Sequence, residues 1–286
     1  MRRLTAFFLF FSLFFNLRNL FADKVFIDEI GGEVRVDGIP GSIVSLAPSI
    51  TEILFALGAG ERIVGITDFC DYPDEAKKKE KIGGFTNPNI EKILSLMPDL
   101  VIGTKDGNDP ATVKRIKNLG IPVYIADARD FEGIKKSILN IARVVNRLEE
   151  GIEIVNDMDR RLKNITADKK RSGRKVLFLY GVNPLIASGK NTFADNLISL
   201  AGGVNIFSDA ATPYPKLNIE EILKRDPDIV VISEMRKNPG GTKRLAGLLK
   251  KKVYRINGDI VNRPGPRIIE GLEKLNRIIN GSPQEI

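Results

Sequence analysis

Short runs of β-branched and aliphatic residues alternate with amphipathic stretches along this chain. Short apolar runs bounded by glycine, proline or aspartate are typical of buried strands, whereas apolar positions spaced three and four apart are typical of helices. The alternation predicts an α/β fold with central, mostly parallel sheets. Gly31 and Gly32, between the first two runs, predict a hairpin. The predicted strands are residues 25–30, 33–36, 43–46, 63–66, 100–102, 123–125 and 175–179.

Three of the helical stretches have clear boundaries. Ser49 is expected to cap a helix that runs to Leu57, and Asp130 is expected to cap another that ends near Asn146. A third helix is predicted at about residues 148–165, where apolar residues recur at spacings of three and four. That spacing keeps one continuous apolar stripe on the helix, so this long element should pack against the protein along its whole length.

Residues 89–103 and 218–232 are two copies of one segment. Eight of the fifteen positions are identical, at an offset of 129 residues. In each copy an Asn is expected to cap a short helix, and a Pro-Asp pair ends the helix and opens a strand. A repeat this long predicts two similar lobes and not a solenoid. The expected organisation is an N-terminal lobe at 23–147, a connecting helix at 148–170 and a C-terminal lobe at 171–286.

The first 22 residues have the features of a secretory signal peptide. Arg2 and Arg3 give a positive start, residues 4–15 are almost entirely apolar, and Ala22 offers a small residue for cleavage. A membrane anchor needs about 20 apolar residues, and Arg18 ends this run too early. The sequence therefore predicts a periplasmic or extracytoplasmic protein that is exported with a cleavable signal peptide.

The chain contains no histidine, and this absence excludes many functions. Ser-His-Asp and Cys-His catalysis need an imidazole, and it is the commonest transition-metal ligand. The single cysteine, Cys70, has no partner for an internal disulfide, and we expect it to be a small, partly buried residue. The net charge of +8 is spread over mixed runs. Nucleic-acid binding would need a basic stripe with stacking aromatics, so no nucleic-acid partner is expected.

An ordered set of short motifs carries a family resemblance. Each motif is weak by itself, but together they span nearly all of the chain after the leader. The motifs are SLAPSITE at 45–52, DYP at 71–73, GGFTNPN at 83–89, PDLVI at 98–102, GGVNI at 202–206 and RPGPR at 263–267. In this order they resemble the periplasmic binding proteins of ABC importers for cobalamin, ferric siderophores and haem.

The resemblance implies two α/β lobes joined by a single long rigid helix, with the ligand bound in the cleft between the lobes. It implies a monomer that delivers its ligand to an ABC permease dimer driven by cytoplasmic ATPases. It also implies a binding protein and not an enzyme. No separate cofactor or protein-bound metal is expected, because the ligand itself is a metal chelate.

Glu91 and Glu220 are the repeated acids of the two copies. The resemblance implies that each one docks on an arginine of one permease subunit, which suits a partner with twofold symmetry. An acid in the first turn of a helix also interacts favourably with the helix dipole, and that alternative needs no partner.

Ligand contacts are expected in the loops at the carboxyl ends of the strands. Aromatic side chains in those loops suit a large planar chelate. A guanidinium suits an anionic ferric chelate, although a structural ion pair is the alternative for Arg267. The candidate ligand-binding residues are Ser49, Tyr72, Phe85, Asn87, Asn183, Tyr214, Arg263 and Arg267.

The nature of the ligand stays open between a corrinoid and a ferric siderophore. Residues 71–73 and 83–85 look more like those of cobalamin binders, which favours a corrinoid. Haem is the weakest of the three, since Tyr72 or Tyr214 could ligate iron but no His is available beside it. A ligand sensor and a metallochelatase-like enzyme on the same two-lobed fold remain alternatives to a transport receptor.

Overall fold

The apolar runs form β-strands in a computed structural model of the protein, which describes residues 24–167, 172–234 and 239–281. The predicted signal peptide at 1–22 lies outside these residues. Most predicted strands are confirmed to within a few residues. The strands in chain order are β1 (Lys24–Ile27), β2 (Glu33–Val36), β3 (Ile43–Ser45), β4 (Ile63–Ile66), β5 (Leu100–Thr104), β6 (Val123–Ala126), β7 (Lys175–Val182), β8 (Leu185–Ala187), β9 (Val204–Asn205), β10 (Ile229–Glu234) and β11 (Val253–Asn257).

Helices alternate with these strands, so the predicted α/β class is confirmed. Short 3₁₀ turns at Gly60–Arg62 and Asp74–Lys78 add to them. The helices in chain order are α1 (Pro48–Ala56), α2 (Ile90–Ser95), α3 (Pro110–Asn118), α4 (Phe131–Val144), α5 (Leu148–Ala167), α6 (Phe193–Leu200), α7 (Ile219–Arg225), α8 (Pro239–Leu249), α9 (Asp259–Asn262) and α10 (Ile268–Asn280).

The chain divides into two compact units. Of the described residues, the first unit contains those up to Asp127 together with Asn140–Leu148, and the second contains Ala128–Leu139 together with those from Glu149 onward. The predicted lobe boundaries stay a prediction. In this division the start of α4 groups with later residues of the chain. The Lys135 ammonium lies 2.5 Å from the Asp159 carboxylate on α5, and both groups belong to the second unit.

The first unit is built on a four-stranded sheet in the order β4-β3-β5-β6. Its strands are all parallel. Parallel strands with helices on both faces are apolar throughout, and Val44, Val101 and Ile125 are accordingly buried. The predicted hairpin is confirmed as β1 and β2, which pair antiparallel as a separate two-stranded sheet of the same unit.

The second unit contains a sheet in the order β11-β10-β7-β8, and β9 pairs with β7 as well. Strands β7, β10 and β11 are parallel, and β8 turns back antiparallel against the end of β7. Leu177, Leu179 and Val230 are fully buried in its core. The predicted long helix is confirmed as α5, and the Arg161 guanidinium on it forms two hydrogen bonds of 2.7 Å with Glu273 on α10.

The two copies of the repeated segment have the same local structure. The Asn89 side chain accepts a hydrogen bond from the Lys92 amide at 3.0 Å, and Asn218 accepts one from the Glu221 amide at 2.7 Å. Both predicted caps are confirmed. Helix α2 ends before Met97 (φ 44°) and helix α7 before Asp226 (φ 46°), so the chain makes the same left-handed turn in both units.

One predicted cap is wrong. Helix α1 has Ala47 as its N-cap residue and Pro48 in its first turn, and no side chain caps it. Proline has its φ fixed near the helical value and lacks an N–H that would need a partner, so it begins the helix where it stands. Ser49 consequently lies inside α1 and is buried. Asp130, by contrast, accepts a hydrogen bond from the Gly133 amide at 2.7 Å, which confirms it as a cap.

None of the helices in the described part of the chain combines the length and the apolar character that a membrane crossing requires.

Candidate functional site

In the first unit, the loops that follow β3, β4 and β5 emerge at the same edge of the sheet, because the strands are parallel. The loop after β4 is held beside the segment at 81–89, since the Asp68 amide donates to the Gly83 carbonyl at 2.9 Å. The predicted residues Tyr72, Phe85 and Asn87 are therefore brought to one region of this unit.

Tyr72 lies in the loop after β4 and is 44% exposed. The same loop carries Phe69, which is 55% exposed and was not among the predicted residues. The loop is anchored at Cys70, whose thiol accepts a hydrogen bond from the Thr51 hydroxyl at 3.1 Å and whose carbonyl accepts one from the Lys81 ammonium at 2.9 Å. Two aromatic rings are thus displayed on a fixed loop.

Cys70 itself is 1% exposed, and its burial is therefore more complete than the partial burial predicted. Burial raises the pKa of its thiol above the ordinary value, and the hydrogen bonds with Thr51 and Thr67 only partly oppose this. A thiol of this kind is unreactive. Its role in this unit is to hold the loop.

Phe85 is half-buried on the next loop, and its backbone is fixed by a residue that sequence reasoning missed. The Asn108 amide nitrogen donates to the carbonyl oxygens of Leu46 at 3.0 Å and Phe85 at 2.9 Å. Its oxygen accepts from the Thr104 amide at 2.8 Å. Asn108 therefore ties together the loops that follow β3 and β5 and the Phe85 loop. Asn87 lies exposed two residues beyond Phe85.

In the second unit, Tyr214 is the most exposed of the candidate aromatics, at 57%. Its ring meets the ring of Tyr180 edge to face, with centroids 5.4 Å apart. Tyr180 in turn meets the buried Phe178 at 5.3 Å. The Tyr214 loop is fastened by the Gly189 amide, which donates to the Pro213 carbonyl at 2.8 Å. Edge-to-face ring contacts therefore run from the buried Phe178 through Tyr180 to the exposed Tyr214.

Tyr180 was not predicted from the sequence. Burial, followed by the nearby Tyr214 hydroxyl, raises the pKa of its phenol to about 12. Hydrogen bonds with Thr192 and Ser188 oppose that rise. Tyr180 therefore stays a neutral phenol at physiological pH and supports the Tyr214 ring from beneath.

The two candidate arginines are less free than the sequence suggested. The Arg263 guanidinium lies 2.9 Å from the Asp259 carboxylate, and its side chain is 12% exposed. Arg267 is partly buried at the N-cap position of α10. The positive charge of Arg263 is thus already compensated within its own unit.

Asn183 lies exposed in the turn between β7 and β8.

Glu91 and Glu220 are both exposed, each in the first turn of its helix. Within the described residues, neither carboxylate belongs to an ion pair. The two acids hold equivalent positions in the two units, as the repeat predicts.

In the described ranges, no group of three or more acidic or cysteine side chains is placed to hold a metal ion. What the loops offer instead is aromatic surface on parallel-sheet units. Two compact α/β units with exposed aromatic loops have the architecture of a two-lobed α/β solute-binding protein.

Comparison with known proteins gives the family. The family model described as periplasmic binding protein matches residues 43–255, and the chain belongs to this family. The vitamin B12-binding protein of Vibrio cholerae serotype O1 is 31% identical over 240 residues, 82% of this chain and 87% of the relative. That of Pectobacterium atrosepticum is 30% identical over 244 residues, 83% of this chain and 88% of the relative.

Solved structures agree with this assignment. The periplasmic vitamin B12 binding protein of Vibrio cholerae has a TM-score of 0.75 at 30% identity, with 84% of this chain and 96% of that chain covered. The periplasmic heme-binding protein of Roseiflexus sp. RS-1 has a TM-score of 0.74 at 28% identity, with 83% and 97% covered. The chain is a solute-binding protein, and its family and relatives are binding proteins and not enzymes.

Proposed function

We propose that this chain binds a corrinoid through its exposed aromatic loops and delivers it to an ABC permease. The observation that carries the proposal is the exposed aromatic surface of Phe69, Tyr72 and Tyr214 on loops whose backbones are fixed by hydrogen bonds. A corrinoid is a large ligand with broad apolar faces, and such ligands favour aromatic surfaces with few polar contacts.

The state of Arg263 supports a corrinoid over an anionic ferric siderophore. A ferric catecholate carries negative charge and would need an uncompensated guanidinium. Arg263 is largely buried and paired with Asp259, so its charge has a partner already. The relatives at 30 and 31% identity over more than four fifths of this chain are named for vitamin B12, which supports the same choice.

Export and docking complete the proposed function. The protein reaches the periplasm through its signal peptide and acts as a monomer with no resident cofactor, since the metal arrives inside the ligand. Glu91 and Glu220 present one carboxylate from each unit to a permease dimer with cytoplasmic ATPases. Their equivalent, exposed and unpaired positions among the described residues support this role.

Calorimetric titration of the mature protein tests the ligand. The panel is cyanocobalamin, cobinamide, haemin and several ferric siderophores. We expect a sub-micromolar Kd for the corrinoids, a binding free energy of about −8 kcal/mol or stronger. Tight binding of an anionic ferric chelate alone would overturn the corrinoid proposal and would require Arg263 to exchange its partner. Tight binding of haemin alone would instead identify haem as the ligand, with a tyrosine as the ligand of its iron.

A further inference from the structure

Leu94 and Leu223 occupy the same position in the two copies of the repeated segment, and both face solvent. They are 37% and 52% exposed, whereas the preceding Ile93 and Ile222 are fully buried. A single surface leucine needs no explanation. The same leucine exposed at equivalent positions of both units does need one.

Six of the eight identical positions in the repeat have a structural role. The asparagines cap their helices, and the prolines and valines are buried. The first isoleucine of each helix packs against the core of its unit, and the second lies within it. The Asp99 carboxylate accepts from the Gly41 and Ser42 amides at 2.8 Å, and Asp228 accepts from the Lys175 amide at 2.7 Å. The two positions that remain are the glutamate and the leucine.

Other surface positions of the same two helices differ between the copies. Lys92 corresponds to Glu221, and Ser95 corresponds to Lys224. These residues are partly or fully exposed. Exposed positions of this repeat therefore need not carry the same residue in both copies. Helix propensity does not require leucine either, because lysine and glutamate have about the same helix propensity as leucine. Among the described residues, neither core cluster includes Leu94 or Leu223.

The glutamate and the leucine are neighbours on the helix surface. Residues three apart lie on the same face of a helix, so Glu91 stands beside Leu94 and Glu220 beside Leu223. Each unit consequently presents a carboxylate next to an exposed apolar side chain. The complementary surface is a basic side chain next to an apolar socket.

We infer that Leu94 and Leu223 form the apolar part of the docking surface, each entering a socket beside a basic residue on one subunit of the twofold-symmetric permease. This inference rests on the proposed function. The glutamates and the leucines are expected to affect different rate constants of docking. The glutamates raise the association rate by long-range attraction, whereas the buried leucines slow dissociation.

The test uses the full mature protein loaded with cyanocobalamin and the permease–ATPase complex of the same organism, reconstituted in nanodiscs. Surface plasmon resonance over a series of salt concentrations gives both rate constants. The variants are L94S/L223S and E91Q/E220Q. The matched control is L119S/L248S, because Leu119 and Leu248 are 48% and 50% exposed, one in each unit, and lie outside the repeat.

For L94S/L223S we expect Kd to rise by about tenfold or more, with tenfold equal to about 1.4 kcal/mol. The change should lie in the dissociation rate, with the salt dependence of association and the affinity for cyanocobalamin unchanged. E91Q/E220Q should instead lower the association rate and flatten its salt dependence. The control should bind like the wild type.

Four outcomes would overturn the inference. If L94S/L223S docks like the wild type while E91Q/E220Q is impaired, the leucines have no part in docking and the proposed function stands. If both variants dock normally, or the wild type does not dock, the proposed docking fails too. An equal loss in L119S/L248S would assign the effect to general surface apolarity.

Discussion

The side-chain amide of Asn108 donates a hydrogen bond to the carbonyl oxygen of Phe85 at 2.9 Å, across 23 residues of sequence. The same amide group binds the carbonyl of Leu46, so one side chain holds two loops at the carboxyl edge of the first sheet. Asn108 is 6% exposed, so water has little access to replace the hydrogen bonds that its side chain donates. The position of the Phe85 ring therefore depends on Asn108.

Asn108→Ala is expected to lower the free energy of unfolding by about 1–3 kcal/mol, because the Leu46 and Phe85 carbonyls lose their donor. Loosening of the Phe85 loop should also weaken cyanocobalamin binding. Urea denaturation followed by circular dichroism, together with calorimetry, measures both effects. Asn118→Ala is the control, since Asn118 is exposed at the end of α3. Equal stability of the two variants would contradict the role of Asn108.

Gly107→Ala should displace the Phe85 ring. Gly107 has φ +106°, and a methyl group there would overlap the ring of Phe85. The left-handed backbone alone makes alanine unfavourable by about 1 kcal/mol or more. Gly120→Ala isolates that backbone cost, because Gly120 has φ +83° and no atom within 4 Å of the added carbon. The overlap adds to this cost in Gly107→Ala, which we expect to be the less stable variant.

The double variant F85A/G107A separates the two causes. Removal of the ring relieves the overlap but not the backbone strain. The loss of stability in F85A/G107A should therefore be smaller than the sum of the two single losses, since residues in contact are not additive. Urea denaturation of the wild type, F85A, G107A and F85A/G107A measures these losses. Strict additivity of the two single losses would show that the Phe85 ring is not packed on Gly107.

The secondary structure and the repeat could be predicted from the sequence because they depend on local patterns. The apolar run 100–102 and the Asn89 and Asn218 caps involve residues within a few positions of one another. Ser49 was misassigned because its side chain is suited to capping, whereas Pro48 begins the helix by its fixed backbone geometry.

The support of the candidate site could not be predicted in the same way. Tyr180 lies in a strand and looks like a core residue, and its contact with Tyr214 joins residues far apart in the chain. Asn108 carries no motif, and its two acceptors are backbone carbonyls. Phe69 lies beside the recognised DYP motif, and its exposure is a property of the folded loop. Long-range contacts of this kind leave no local pattern.

The Arg161–Glu273 pair should make stability depend on acid pH. Hydrogen bonds from Arg161 lower the pKa of the Glu273 carboxyl below its ordinary value, and burial only partly opposes this. A lowered pKa stabilises the fold above the ordinary carboxyl pKa, and the stabilisation is lost as the pH falls through the lowered pKa. Because the pair is about one-third exposed, we expect it to contribute about 0.5–1 kcal/mol.

Urea denaturation of wild type and Glu273→Gln at neutral and acid pH measures this contribution. The difference in unfolding free energy between the two proteins should be present at neutral pH and should shrink as Glu273 becomes protonated. Glu270→Gln is the control on the same helix, since Glu270 is exposed and should follow the wild type. A difference that does not change with pH would assign the effect of Glu273 to packing.

Tyr214→Ala should lower the pKa of Tyr180. Burial is the main cause that raises this pKa to about 12, and the Tyr214 hydroxyl is the second. Loss of the Tyr214 ring opens Tyr180 to water and removes the second cause, so the pKa should move toward the ordinary phenol value. The chain has no Trp, and tyrosinate absorbance is therefore a clear probe. The titration of Y214A is compared with that of Y180F/Y214A, so that the difference reports Tyr180 alone.

The same ring is expected to contact the ligand. Tyr214→Ala should weaken cyanocobalamin binding by about 1–3 kcal/mol, the usual effect of losing a central aromatic contact. Tyr214→Phe keeps the ring and should bind nearly as tightly as the wild type, whereas a tyrosine that ligates iron would lose its function in both variants. Tyr254→Ala is the control in the same unit, because Tyr254 lies on β11 with Lys252 over its ring at 5.0 Å. Calorimetry that finds Y214A unchanged would remove Tyr214 from the site, and an effect of Y214F on haemin alone would favour iron ligation over corrinoid contact.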